Sequence, residues 1–116
     1  KQNSEKEKEK PLASLPNGTL PEGPLALPIG SGPEANMHNE EGISHYKQDH
    51  YDIALKHFQE AEQSDPTIGE IHFNEGLTLD KIGDHGAATN HFQTARDAAN
   101  ENERILTSKI LIKHIQ

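Results

Sequence analysis

Shifted by 34 residues, the chain falls onto itself. Gly42 meets Gly76, Ala54 meets Ala88, Phe58 meets Phe92 and Ala61 meets Ala95. His38/His72, Glu41/Glu75, Lys47/Lys81, His57/His91 and Gln59/Gln93 are also identical. A repeat of this length is one supersecondary unit, too small to bury its own apolar face and stabilised by stacking on a neighbour. Within each copy, alanine, phenylalanine and alanine recur at steps of four and three, which makes one apolar stripe of a helix. The fold class is therefore all-α. Glycine inside a helix costs about 1 kcal/mol against alanine. Gly42 and Gly76 accept that cost at the same register, which marks a place where two helices approach too closely for a side chain. Ala54 and Ala88 do the same on the partner helix, and Phe58 and Phe92 fill the space between.

Start signals divide the chain. Ser31-x-x-Glu34, Thr67-x-x-Glu70 and Asn100-x-x-Glu103 fit the capping box, in which a small polar side chain and an acid satisfy each other's orphan amides. Asp49 and Asp84 are expected as N-caps of second helices. Gln48-Asp49-His50 and Gly83-Asp84 read as the turns before them. Helices are predicted near 34–48, 51–64, 68–82, 85–99 and 102–115. In the last, Ile105, Leu106, Ile110, Leu111 and Ile115 form a stripe able to cover the open end of the second repeat. Ile112 lies off that stripe, toward solvent.

Residues 1–33 have another texture. Lys6–Lys10 alternates base and acid, and Pro11, Pro16, Pro21, Pro24, Pro28 and Pro33 follow at short intervals. Each proline removes a backbone donor and pushes its predecessor out of the helical region. Too little contiguous apolar surface remains to offset the entropy of ordering. The expected organisation is a disordered Pro/Gly-rich linker over 1–33 and a folded domain over 34–116. That domain divides into repeat 1 (35–68), repeat 2 (69–102) and a closing helix (103–116). Leu12, Leu15, Leu20, Leu25 and Leu27 are unusual in a spacer, so docking of the tail into the domain's own groove is a subsidiary expectation. The chain begins at Lys1 without methionine, which reads as a fragment or processed form. A tether ahead of a small domain suits an exported or membrane-anchored protein.

The string Gly42…Tyr46…Tyr51-x-x-Ala54-x-x-x-Phe58-x-x-Ala61…Pro66 resembles the tetratricopeptide-repeat signature, with Pro66 at the repeat boundary. Gly76-x-x-Leu79-x-x-x-Gly83…Ala88-x-x-x-Phe92-x-x-Ala95 is similar to it as well. The resemblance covers residues 35–102 and implies a right-handed superhelix of antiparallel helix pairs. The segment after it resembles the family's solvating C-terminal helix. There are departures: His38 and His72 stand where the family often has a large residue, Glu41 and Glu75 replace the usual leucine, and Asn100 replaces the second proline.

The resemblance also implies a concave groove, lined by the first helix of each repeat, that holds an extended peptide or a partner helix. Carried onto this chain, the groove is Asn36, Asn39, Glu40, Ile43, Tyr46 and Lys47 from the first repeat. Phe73, Asn74, Leu77, Asp80 and Lys81 come from the second, and Arg104, Ser108 and Lys109 from the closing helix. Amide side chains pair with a peptide backbone through donor and acceptor together. Ile43, Tyr46, Phe73 and Leu77 offer an apolar floor. The family's carboxylate-gripping mode is matched only by Asn74 and Arg104, and Glu40 would repel a carboxylate. A neutral or basic partner with apolar anchors is expected.

Several function classes are disfavoured. A formal charge of −8 opposes nucleic-acid binding, which needs a basic stripe to displace counterions. No stretch approaches the roughly 18–20 apolar residues of a membrane span, so direct insertion is not expected. Cysteine is absent, which removes disulfides, thiolate catalysis and cysteine-ligated zinc. The eight histidines include no pair at i and i+4, the spacing that sets two ligands on one helical face. His57 and His91 share a register and are expected as neighbours across the stack. No metal or other cofactor is expected. Nucleophile elbow, Walker loop and dinucleotide fingerprint are all missing, so no enzyme is expected. The leading expectation is a protein-interaction scaffold that binds a peptide or protein partner. The alternative is a structural self-assembly unit, at least a weak homodimer, and histidine-borne metal binding ranks third.

Overall fold

The computed structural model describes residues 22–116. Helices α1 (Pro33–Lys47), α2 (Tyr51–Ser64), α3 (Gly69–Ile82) and α4 (His85–Asp97) follow one another, then the short α5 (Glu103–Leu106) and α6 (Lys109–Ile115). Among the described residues there is no strand. The connections between α1 and α2 and between α3 and α4 are too short for anything but a reversal of direction. Each pair therefore packs as a helical hairpin, α2 packs on α3, and α6 covers α4.

The repeat supplies the core. Ala54, Phe58, Ala61, Ala88, Phe92 and Ala95 are all fully buried. Gly42 and Gly76 are the close approaches the register implies, with a sharper cause: each faces the phenylalanine ring of its own hairpin. A Cβ on Gly42 would lie 2.5 Å from Phe58, and one on Gly76 would lie 2.7 Å from Phe92. Phe73 leans on Phe92 with ring centroids 5.8 Å apart.

The capping chemistry differs from the sequence reading at most ends. Asp84 does cap α4, its carboxylate accepting from the Ala87 N–H at 3.1 Å. Ser31 instead donates to the Pro28 carbonyl, leaving Gly32 as the N-cap of α1 and Pro33 in its first turn, where a missing N–H costs nothing. Thr67 gives both its hydroxyl and its N–H to the Asp65 carboxylate, which holds that carboxyl below its usual range, so Ile68 takes the N-cap position of α3. Asp49 adopts φ 66° and accepts from the Tyr51 hydroxyl; His50 is the N-cap of α2. Asn100 and Glu101 both lie in the left-handed region, and the cap falls to Asn102, which accepts from the Arg104 N–H.

The closing helix is two helices rather than one. Thr107 ends α5, and Ser108 starts α6 by accepting from the Leu111 N–H at 3.1 Å. Ile105 and Leu111 are buried as the stripe requires and Ile110 and Ile115 are half-buried, but Leu106, expected on the stripe, is turned out to solvent with Ile112. The break turns the Ser108 hydroxyl inward, where it donates to the Glu22 carboxylate at 2.8 Å. Ser108→Ala removes a cap and that bond together and is expected to lower stability by about 1–2 kcal/mol in denaturant unfolding. An unchanged midpoint would mean that α6 does not depend on its cap.

Residues 22–32, assigned to the linker by the sequence reading, lie against the helices along a defined path without helix or strand. Leu25 is 6 % exposed and joins the main core, while Leu27 packs on the smaller cluster of Ala35, Ala61 and Ile71. Burying one leucine is worth about 1.5–3 kcal/mol, which offsets the ordering entropy of only a few residues. Leu12, Leu15 and Leu20 lie outside the described residues.

Candidate peptide-binding face

Asn39 on α1 and Asn74 on α3 are equivalent to within one residue of the repeat, and both are fully buried. The amide of Asn74 donates to the Asn39 side-chain oxygen at 2.8 Å, tying the two first helices together. Both amides also donate to the Leu25 carbonyl, at 3.0 Å from Asn39 and 2.9 Å from Asn74. The Leu25 N–H in turn donates to the Asn74 side-chain oxygen at 2.7 Å. One asparagine thus meets both main-chain groups of one residue, and a second holds it in place. Such a grip reads the backbone and not the side chain, so it suits any irregular segment that presents an apolar anchor at this point.

A cleft of about 520 Å³ opens beside the gripped residue. Tyr46, Lys47, Leu77, Lys81 and Arg104, all among the expected groove residues, line it together with Ile110 and the chain from Glu22 to Leu25. Tyr51 and Asp49 complete the wall, the Tyr51 ring set edge-on to Tyr46 at 5.3 Å. Burial pushes the Tyr46 hydroxyl up to about 12, with Tyr51 and the carboxylates of Asp80, Asp49 and Glu22 adding to it. Tyr46 is therefore a neutral hydrogen-bonding tip over an apolar body across the physiological range.

Other expected groove residues have different employment. Asn36 closes the start of α1 by donating to the Ser31 and Gly32 carbonyls. Phe73 is 1 % exposed and belongs to the core. Asp80 contacts His85 at 2.9 Å and His114 at 3.1 Å. Glu40 is exposed and Ile43 half-buried, and neither lines this cleft. Of the repeat-core positions, Pro66 alone is exposed, its ring marking the boundary while its carbonyl accepts from His72.

Glu22 is the contact residue that sequence reasoning missed. Its carboxylate takes the Ser108 hydroxyl and the Lys109 N–H, at 2.8 and 2.9 Å, so the bound segment is pinned by an acid three residues before its leucine. The signal available in sequence was the run of tail leucines; nothing local ties Glu22 to Ser108, 86 positions away. Compared with known proteins, the chain matches no family model and no curated sequence.

Proposed function

We propose that this domain is a protein-interaction module of the tetratricopeptide-repeat kind. It holds an irregular peptide across α1 and α3, and residues 22–32 are the resident occupant of that face. The observation that carries the reading is the two-asparagine grip on Leu25. Buried amides that satisfy a peptide unit so completely leave an unpaired pair when the unit departs, at about 1–3 kcal/mol for each lost partner. The face is therefore suited to exchange one segment for another rather than to stand empty. The occupant favours a partner with a leucine-like anchor and an acid three residues before it. This differs from the neutral or basic partner expected from Glu40, because the acid lands on the start of α6, away from that residue.

The test uses a fluorescent peptide of residues 20–29 added to the full chain. The resident segment competes at an effective concentration in the millimolar range for a short tether. Wild type is expected to bind the peptide weakly, and Leu25→Ser, which loosens the resident anchor, at least roughly tenfold more tightly. Asn74→Ala in the Leu25→Ser background is expected to abolish binding while helical circular dichroism is retained. Leu25→Ser that binds no better than wild type would sink the reading.

The exposed Leu106 and Ile112 on α5 and α6 favour the second reading, self-assembly. A mass that stays monomeric as concentration rises would remove it.

A further inference from the structure

His72 and Glu75 lie three apart on α3, and His91 lies on α4. The repeat register and the hairpin bring all three to one point, where Glu62 of α2 joins them. We propose that His72, Glu75 and His91, completed by Glu62, form a binding site for one divalent transition-metal ion of the zinc class.

The geometry is that of a ligand cage. His72 Nδ1 lies 3.4 Å from His91 Nδ1. Glu75 Oε1 lies 3.5 Å from His72 Nδ1 and 3.1 Å from His91 Nδ1. A tetrahedral zinc ion with bonds of about 2.0–2.1 Å needs ligand atoms roughly 3.3–3.4 Å apart. The three sides of this triangle straddle that value. The fourth ligand atom, from Glu62, lies with the other three inside a span of 4.8 Å.

Two further observations point to a cation at the centre. Glu75 is 0 % exposed, and neither of its carboxylate oxygens receives a hydrogen bond. Its nearest basic neighbour is His91 Nδ1, 3.1 Å from Oε1, an ion pair only when that imidazole is protonated. A buried carboxylate whose close neighbours are imidazoles is a costly group for a small domain unless a cation or a proton compensates it. Next, His72 Nε2 meets the Pro66 carbonyl at 2.8 Å. Since a carbonyl only accepts, that nitrogen carries the hydrogen, and in the neutral ring Nδ1 is left with its lone pair facing Glu75. A histidine whose far nitrogen is held by a carbonyl is the usual second-layer arrangement of a metal ligand.

The same constellation occurs in the first repeat. His38, Glu41 and His57 also converge, with His57 Nδ1 at 3.1 Å from Glu41 Oε1. That copy is more open, Glu41 being half exposed at its side chain against none for Glu75. The second-repeat cluster is the one covered by a neighbouring hairpin, and so it is the tight site. Two imidazoles and two carboxylates without a thiolate select zinc, cobalt, nickel or copper over calcium and magnesium. Four protein ligands make the site structural rather than catalytic. None of its residues lines the Leu25 cleft, so the site stands or falls apart from peptide binding.

The experiment is titration of the full, tag-free chain with Zn²⁺ and with Co²⁺. One tight equivalent is expected, with a rise in the unfolding temperature and, for Co²⁺, the intense visible bands of a tetrahedral ion. His91→Ala and Glu75→Leu are each expected to weaken the tight equivalent at least roughly tenfold, whereas His57→Ala leaves it in place. Glu75→Leu guards against loss of folding, because it removes the ligand and fills its space with a side chain the core accepts. Absence of stoichiometric Zn²⁺ uptake below about 100 μM free ion overturns the proposal. So does uptake unchanged in both variants, or uptake lost on replacing the half-buried His45 and the exposed His50 instead.

Discussion

Gly76→Ala is expected to lower the stability of this domain by about 1–3 kcal/mol, because overpacking outweighs the gain in helix propensity. Gly86→Ala, one helix later, is expected to raise it by up to about 1 kcal/mol. The two glycines differ only in what stands beside them. A Cβ on Gly86 meets nothing within 4 Å, while one on Gly76 meets the Phe92 ring at 2.7 Å. That ring cannot give way, being fully buried between Phe73 and His114. The diagnostic measurement is a double-mutant cycle by denaturant unfolding. Phe92→Leu costs roughly 1–2 kcal/mol in lost burial at about 0.8 kcal/mol per methylene. In that background Gly76→Ala is expected to turn neutral or stabilising, since the obstructing ring is gone. Equal cost in both backgrounds would show that the glycine serves something other than the ring.

The second large effect is a loss of stability between pH 5 and pH 8 in the chelator-treated, metal-free chain. Burial raises the Glu75 carboxyl from 4.5 to about 7, and contact with the Glu75 carboxylate raises His91 above 6.5. Both groups hold protons more tightly in the folded state than in the unfolded one. The folded state is therefore the better proton binder from pH 4.5 upward, and stability falls as pH rises through that window. His72, His91 and Glu62 are the titratable groups facing Glu75, and no fixed cation among them offsets the loss. Glu75 alone is worth on the order of 3 kcal/mol across the full shift. Glu75→Leu is expected to flatten the profile and to be the more stable protein at pH 8. A wild-type profile that rises from pH 5 to 8 would contradict the assignment of a buried, protonated Glu75. Asp65, whose carboxyl is lowered, acts in the opposite sense but only below pH 4.

How much of this was legible beforehand depends on the range over which each feature is set. Helices α1 to α4 follow from periodicity, which is a property of neighbours three and four apart. Their caps mostly do not, because Ser31, Thr67 and Asn100 each have a nearer or geometrically better partner than the amide the motif assigns them. Asn39 and Asn74 were legible as backbone-pairing amides, but Phe73, placed in the same groove, turns into the core. The histidine pairings were missed by searching within single helices. His72 and His91 are 19 positions apart, as are His38 and His57, and the pairing exists only because each hairpin folds back on itself. The available clue was that the departures from the repeat pattern, His38, His72, Glu41 and Glu75, recur in register.

Sequence by itself determined the all-α class, the 34-residue unit, the alanine and phenylalanine stripe and the pairing of Gly42 and Gly76 with a close neighbour. Those are short-range or repeated signals, and repetition lets a weak signal be read twice. Tertiary structure alone decided that Leu25 is seated under two asparagines, that Glu22 meets Ser108, that the closing segment breaks, and that Glu62, His72, Glu75 and His91 share one point. Each of those contacts joins residues on different elements, and its geometry is set by how the hairpins stack, a relation no local pattern encodes.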